Sequence, residues 1–448
     1  MSEQNDFKKS TNGISRRRFL RNTVAAAAGG FAAAAGLRLG APSVARARSF
    51  QNSKFTVLWQ RGSVAPAADL EEKMMMDWAA ANGIELVIES VALGEWAAKL
   101  ATLAEAGGGA DLIHMYTQHV GVNLPVLTDM TDLRESIGAA VGGWLPGPAS
   151  VGVADGKAYS IPTFVYGQYW HYRTDLFKEA GVESWPTTWQ ELHTVGKTLK
   201  AKGTPIGFTL GPAVTDGATH CYSLLWSFGG KEFEEDGVTI ALDSPETLAC
   251  LEFFRDFYND ALSEEAFAWD ELGNNQAYLS ELVAATNNAN TIYLGLANNA
   301  PQLVETTSLG GALAGPAGAF QYMSMQHYGI PTYSTNVEAA RAFLTDAYYA
   351  TGFQKDVLIA GNGYNLPTHK ALDADDAAWP ADPNLAAARS LAAAARVPGY
   401  AGPFTSNVGQ SMDKFLVINM FASVAQGTPP KDAITKTVDE MNVILKGA

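Results

Sequence analysis

An α/β body in two lobes is what the sequence predicts, and three observations predict it. The chain has 448 residues, more than one ordinary core holds, and a length of that order divides into domains of about 100 to 200 residues. Its composition, 47% hydrophobic and 17% charged, is that of a globular protein able to fill large cores. From Phe55 onward, stretches that read as strands take turns with stretches that read as helices, which implies a mostly parallel sheet with helices on both faces.

The elements follow in order. "FTVLW" reads as a strand, "PAADLEEKMMMDWAAANG" as a helix ended by Gly83, "IELVIESV" as a strand, "GEWAAKLATLAEAGGG" as a helix and "ADLIHMY" as a strand. A second block holds "TTWQELHTVGKTLKAKG", a helix with a capping box of Thr188 and Glu191 and a terminal Gly203, followed by "TPIGFTL" as a strand. "EFEEDGVTIAL" reads as a hairpin turning at Asp236-Gly237, and the next helix starts with Ser244 as N-cap and Pro245 at its first position. Further helices start at Thr335, with Glu338 completing a capping box, and at Thr428 with Pro429. No internal repeat and no low-complexity linker follows the N-terminal region.

That N-terminal region carries an address. "SRRRFLR", Ser15 to Arg21, fits the twin-arginine export pattern. An Ala/Gly-rich stretch follows and ends in Ala45-Arg46-Ala47, a small-x-small cleavage site. Residues 1–47 are therefore expected to be a signal peptide, with the mature protein starting near Arg48 in the periplasm. The apolar run is shorter than the roughly 20 residues that span a bilayer, and no cysteine stands near the cleavage point, so neither a membrane span nor a lipid anchor is expected.

Charge narrows the partners. The first 47 residues hold eight Lys/Arg and two Asp/Glu, so the remainder carries 23 basic and 44 acidic residues, a net −21. Such a surface repels phosphate backbones, and nucleic acid is not an expected partner. Cys221 and Cys250 either pair, as an oxidising compartment permits, or sit buried as small hydrophobes on apolar helix faces, the reading that "ATHCYSLLWSF" and "TLACLEFFRDF" favour.

The segment "GKAYSIPTFVYGQYWHYRTDLFKEAGVESWPTTWQEL" resembles the signature region of family 1 extracellular solute-binding proteins of ABC importers, the maltose-binding-protein-like group. There a G-x-x-Y-x-x-P strand leads to Y-x-x-D-L-F-x-x-A-G and then to P-x-T-W-x-E-L, and each element is present. The resemblance continues through "WSFGGKEFEEDGVTIALDSPETLACLEFFRDFY" and "IPTYSTNVEAARAFLTDAYY" to "GTPPKDAITKTVDEMNVIL". One departure is "SELVAAT", where members often carry a glycine after the serine. The resemblance implies two α/β lobes of the periplasmic binding protein fold (type II-like), with ligand in the cleft between them and closure about crossing segments. Mapped onto this chain, the crossings fall near Thr163–Gln168, Ala314–Phe320 and Tyr364–Thr368. Residues 48–165 with 319–366 would form the N-terminal lobe, and 166–318 with 367–448 the C-terminal lobe. It also implies a monomer that delivers its ligand to membrane permease subunits.

Sugar recognition needs flat apolar faces for axial C–H groups and planar amides or carboxylates for neighbouring hydroxyls. Trp59 and Gln60 end the first strand, and Tyr116 and Gln118 end the third, where open α/β sheets place ligands. Trp170, Trp226, Trp269 with Asp270, Asn287, Asn288, Asn290, and Asn362 with Tyr364 follow from the mapped crossings and the second lobe. The asparagine-rich pieces fit loop residues bonding their own backbone equally well. An anionic ligand would need a cleft cation, and only Arg61 and Arg173 are candidates. His114 and His119 lie five apart and share no helical face, and "DADD" at Asp373–Asp376 lacks the spaced ligands of a calcium loop, so no metal or other cofactor is expected. A carbohydrate or polyol is the expected ligand. A secreted carbohydrate hydrolase would share the composition but would need two carboxylates facing each other across a sugar.

Overall fold

Strand β1 (Lys54–Leu58) shows how the first sheet is built. Phe55 and Val57, with Trp59 just beyond, enter one core while Leu58 enters another, the two-residue period of a strand buried on both faces. The strands β2 (Glu85–Glu89) and β3 (Leu112–Tyr116) lie parallel to β1 on either side. Each is reached through a helix, Ala65–Asn82 and Trp96–Ala106, and both helices end on a left-handed glycine, Gly83 and Gly107. The structure is a computed structural model and describes residue 50 and residues 53–447 except 92, 212, 214 and 351. The signal peptide expected at 1–47 lies outside the described residues.

The remaining main strands are β4 (Ile161–Tyr166), β5 (Gln168–Arg173), β6 (Ile206–Gly207), β7 (Ala285–Ala289), β8 (Thr307–Gly310), β9 (Met325–Gly329) and β10 (Asn365–Leu366). They form two sheets, ordered β10-β4-β9-β3-β1-β2 and β8-β5-β7-β6. β9 runs antiparallel to β3 and β4, and β10 antiparallel to β4. In the second sheet β5 is antiparallel to β7 and β8, and only β6 with β7 is parallel. Both sheets are thus mixed, which corrects the expectation of a mostly parallel one. The cause is topological: β9 and β10 belong to the part of the chain that returns after the second sheet is built, and they enter the first sheet from its opposite end.

Two helix starts form as their sequences direct. Thr188 and Glu191 make the reciprocal capping box, and the Ser244 side chain accepts from the Thr247 N–H. The Thr335–Glu338 box does not form. The helix begins at Val337, because Ser334 and Asn336 turn their side chains to the Asp111 carboxylate instead. Glu281 occupies the family's glycine position after Ser280 and adopts φ 62°, a left-handed conformation that explains the glycine there. Its carboxylate accepts from Arg173 at 2.8 Å. Both cysteines are buried and unpaired.

The two sheets meet at crossing segments. The first is a single residue, Gly167, between β4 and β5. A side chain there would place Cβ 2.3 Å from the Gly363 carbonyl oxygen. Gly167 N–H donates to the Tyr364 carbonyl at 2.9 Å, and the Tyr169 hydroxyl donates to that of Gly363 at 2.9 Å, so this crossing and the stretch around Tyr364 run side by side. After β10 the chain packs beside the first sheet. His369 bonds Gln354, Lys355 pairs with Asp375, and Ala378 enters the same core as Phe55. Contact with the second sheet's helices comes at Asp382, which accepts from the Tyr293 hydroxyl. The helix Ser406–Asp413 then packs on Thr117–Asn123, where Gly121 and Gly409 let the two backbones approach.

Candidate functional site

A cleft of about 700 Å³ opens where β1, β3, β4 and β7 end. The floor on the first-sheet side is three tyrosines brought together from separate elements. Tyr116 ends β3, Tyr166 ends β4, and Tyr364 precedes β10. The Tyr116 and Tyr166 rings stack at 5.6 Å and the Tyr166 and Tyr364 rings meet at 4.8 Å. Their hydroxyls are bonded: Tyr116 and Tyr166 to each other at 3.3 Å, Tyr166 to the Gln326 amide, and Tyr364 to the Ser63 N–H. Burial raises the Tyr116 and Tyr166 pKa values, so both stay neutral donors and acceptors.

The opposite wall comes from the second sheet. Asp216, in the first turn of the helix Asp216–Phe228, accepts from the Asn288 amide at 2.6 Å. Glu271 accepts from the Thr215 N–H at 2.8 Å and the Thr215 hydroxyl at 2.6 Å, and that hydroxyl also lies 3.3 Å from Asp216. Burial first, and the neighbouring Glu271 second, push the Asp216 pKa well above the usual carboxylate range. Gln168 is buried, lines the cleft and leaves its Oε1 without a hydrogen-bond partner, and the Gln60 Oε1 and the Asn275 Oδ1 are likewise left without one.

A separate chamber of about 130 Å³ shares Gly94 with the lining of the cleft. Ala97, Ala218, Met412 and Ile418 line it, together with Gln118, His119, Tyr222, Asp413 and Phe415. Gln118 is 3% exposed, and both its Oε1 and Nε2 lack partners. Burial lowers the His119 pKa to about 3, so the ring is neutral.

Of the residues singled out in the sequence, the cleft brings together Gln60, Tyr116, Asp270, Asn288 and Tyr364, and the chamber takes Gln118. The others lie elsewhere. Trp59 is in the core of the first sheet. Trp170 packs among Trp185, Trp189 and His220. Trp226 is wholly buried and donates to Glu232 at 2.7 Å. Trp269 is 6% exposed in a small core with Tyr278 and Ile292. Asn287 offers its carbonyl to Asn274, and Asn290 donates to the Asn362 carbonyl at 2.8 Å, tying the second wall to the crossing. Arg61 lines the cleft but pairs with Asp69 and, at 2.7 Å, with Glu72, and Arg173 pairs with Asp175 and Glu281. Sequence reading missed Tyr166, Gln168, Asp216 and Glu271. Gln168 stands two residues from Tyr166 across Gly167, a spacing that could have found it. Among the described residues no three His, Cys, Asp or Glu side chains converge as a metal site, and no helix is long and apolar enough to cross a membrane.

Three comparisons place this architecture. A binding protein of Brucella abortus is 30% identical over 189 residues, 41% of this chain and 44% of the relative. An ABC transporter-binding protein of Deinococcus radiodurans is 28% identical over 230 residues, 50% of this chain and 53% of the relative. The matched stretches thus span about half the length of these curated relatives. The maltose-bound MalE3 of T. maritima superposes with a TM-score of 0.69 at 22% identity, over 88% of this chain and all of that one, and shares the two-lobed fold. The profile of the family described as "Bacterial extracellular solute-binding protein" matches residues 62–351, and the chain belongs to that family.

Proposed function

We propose that this chain is the capturing component of an ABC importer for a neutral carbohydrate or polyol, which it holds between its lobes and delivers to membrane permease subunits. The single observation that carries the reading is the cleft itself. Three bonded tyrosines form one wall, and Asp216, Asn288 and Glu271 form the other, so one ligand touches both lobes. Tyrosine faces suit the C–H side of a pyranose. Carboxyl and amide oxygens, several of them without donors, suit its hydroxyls. Arg61 and Arg173 are neutralised by carboxylates, which among the described residues leaves no unpaired cation lining the cleft for an organic anion. Within this reading Gln60, Tyr116, Gln118, Asp270, Asn288 and Tyr364 are ligand contacts, together with Tyr166, Gln168 and Asp216.

The role is binding without catalysis. Asp216 and Glu271 share the Thr215 hydroxyl and so sit on one side of the cleft, whereas glycoside hydrolysis sets two carboxyls on opposite sides of the bond. The twin-arginine pattern and Ala45-Arg46-Ala47 support export to the periplasm, and the family resemblance supports a soluble monomer there. The lobes are residues 48–166 with 324–378, and 168–323 with 379–448, a division supported by the sheet membership of the strands, by the pairing of Gln321–Tyr322 with Ala395–Arg396 and by the packing of 367–378. A thermal-shift screen of the mature protein against neutral sugars, polyols, uronates and amino acids tests the reading. A ligand at 100 times its Kd adds about 2.7 kcal/mol, so carbohydrates should raise the melting temperature. A shift with amino acids or dicarboxylates and none with any carbohydrate overturns it.

A further inference from the structure

We propose that the helix Ser406–Asp413 is a latch between the lobes, a part of the second lobe that grips the helix Thr117–Asn123 of the first and must let go before the cleft opens. The inference goes beyond the carbohydrate reading and needs only the two lobes. Its starting point is a backbone contact outside the crossing segments. A Cβ on Gly121 would lie 2.8 Å from the Phe404 ring and 3.0 Å from the Gly409 Cα, and one on Gly409 would lie 2.8 Å from the Val122 nitrogen. The two helices touch where neither has a side chain, and a side chain added there would wedge them apart.

Each helix is fixed to its own lobe. Thr117–Asn123 follows β3 directly, and the Met325 N–H of β9 donates to the Thr117 hydroxyl at 3.0 Å. In the second lobe, the Gly399 N–H donates to the Glu232 carboxylate at 2.7 Å and the Ala401 N–H to the Phe233 carbonyl at 2.6 Å, which ties down the chain entering Ser406–Asp413. It leaves through Phe415 into the helix Leu416–Ala425, whose Phe421 ring meets Phe254 at 4.8 Å. The seam between these anchors is suited to parting. Among the described residues no hydrogen bond joins the two helices, and Asn123 and Thr405 bond within their own, so separation costs no polar partner. The seam is also loosely filled. The chamber of about 130 Å³ lies on it, between Ala97 and His119 of the first lobe and Met412 and Asp413 of the second, and a hollow of about 280 Å³ shares Ala97, His119 and Asp413 with it. Contacts made once, on folding, are filled to interior density; two hollows along one seam fit faces that meet and separate. The latch acts without ligand. It sets what fraction of the empty protein already has its lobes together, and the apparent affinity for a solute scales with that fraction.

The test is small-angle scattering and urea unfolding of the ligand-free mature protein. Gly409→Val and Gly121→Ala intrude on the seam from its two sides, and Gly311→Ala, whose Cβ would meet nothing within 4 Å, is the control. Both intrusions are expected to enlarge the radius of gyration over that of the parent and the control, while the urea midpoint stays with theirs because neither sheet is touched. A radius unchanged in both variants overturns the latch, and a midpoint that falls with it makes the seam a permanent part of one core. Failure of Gly409→Val to fold, with Gly121→Ala destabilised at an unchanged radius, is that same result. No ligand is used, so overturning the latch leaves the carbohydrate reading standing.

Discussion

Glu71 is a carboxyl 4% exposed, on the helix Ala65–Asn82. Burial pushes its pKa from 4.5 up to about 8. The folded protein therefore keeps this proton over a pH range in which the unfolded chain has released it, and stability falls as pH rises from about 4.5 to about 8. Glu71→Gln removes that slope. Urea unfolding should find the variant more stable than the parent by roughly 2–4 kcal/mol at pH 8 and nearly equal to it at pH 4; a parent that is the more stable at pH 8 would mean that the carboxylate is solvated. Such residues are hard to read from sequence, because Glu71 looks like any other acidic residue of an amphipathic helix. Asp216 and Glu271 were hidden for the same reason: a Thr-Asp pair before an apolar run reads as a helix cap, and nothing local shows that a distant acid joins it.

At the scale of elements, the crossing at Gly167 is a tight constraint. An alanine Cβ would meet the Gly363 carbonyl oxygen, which belongs to backbone and cannot rotate away. Gly167→Ala should cost about 1–3 kcal/mol in urea unfolding, while Gly62→Ala, whose Cβ would make an ordinary 3.7 Å contact with Tyr364, should change stability by less than about 0.5 kcal/mol. Equal effects at the two sites would show that the crossing tolerates displacement. The aromatic run around this glycine is explained by its three surroundings. Phe164 enters the core of the first sheet, Tyr166 the cleft floor, and Trp170 with Tyr172 the core of the second. Sequence could show that the run serves no single face. It could not sort Trp226 from a cleft ring, since every residue of the helix Asp216–Phe228 is buried and the helical period leaves no exposed side to compare.

At the scale of the molecule, β1 to β3 and their helices were legible because each is specified by its own alternation and its own caps. The mixed sheets and the packing of 367–378 beside the first sheet were not, because pairing direction depends on strands far apart in sequence, such as β9 with β3, and that packing on tertiary contacts such as Lys355 with Asp375. In the capture role, a ligand touching Tyr364 and Asn288 together stabilises the closed arrangement over the open one, and only that difference can shift the two populations. Small-angle scattering should therefore give a smaller radius of gyration with saturating ligand than without; an unchanged radius would make the protein a static binder.

The crossing at Gly167 runs beside the backbone of Gly363 and Tyr364, pinned to it at two points by the hydrogen bonds of Gly167 and Tyr169. A door hung at two points has one degree of freedom, so its state is a single angle and carries no description of what it closed upon. A permease reading that angle receives a yes or a no. In the importer proposed here, all discrimination between one sugar and another must then be completed inside the cleft, before the complex ever reaches the membrane.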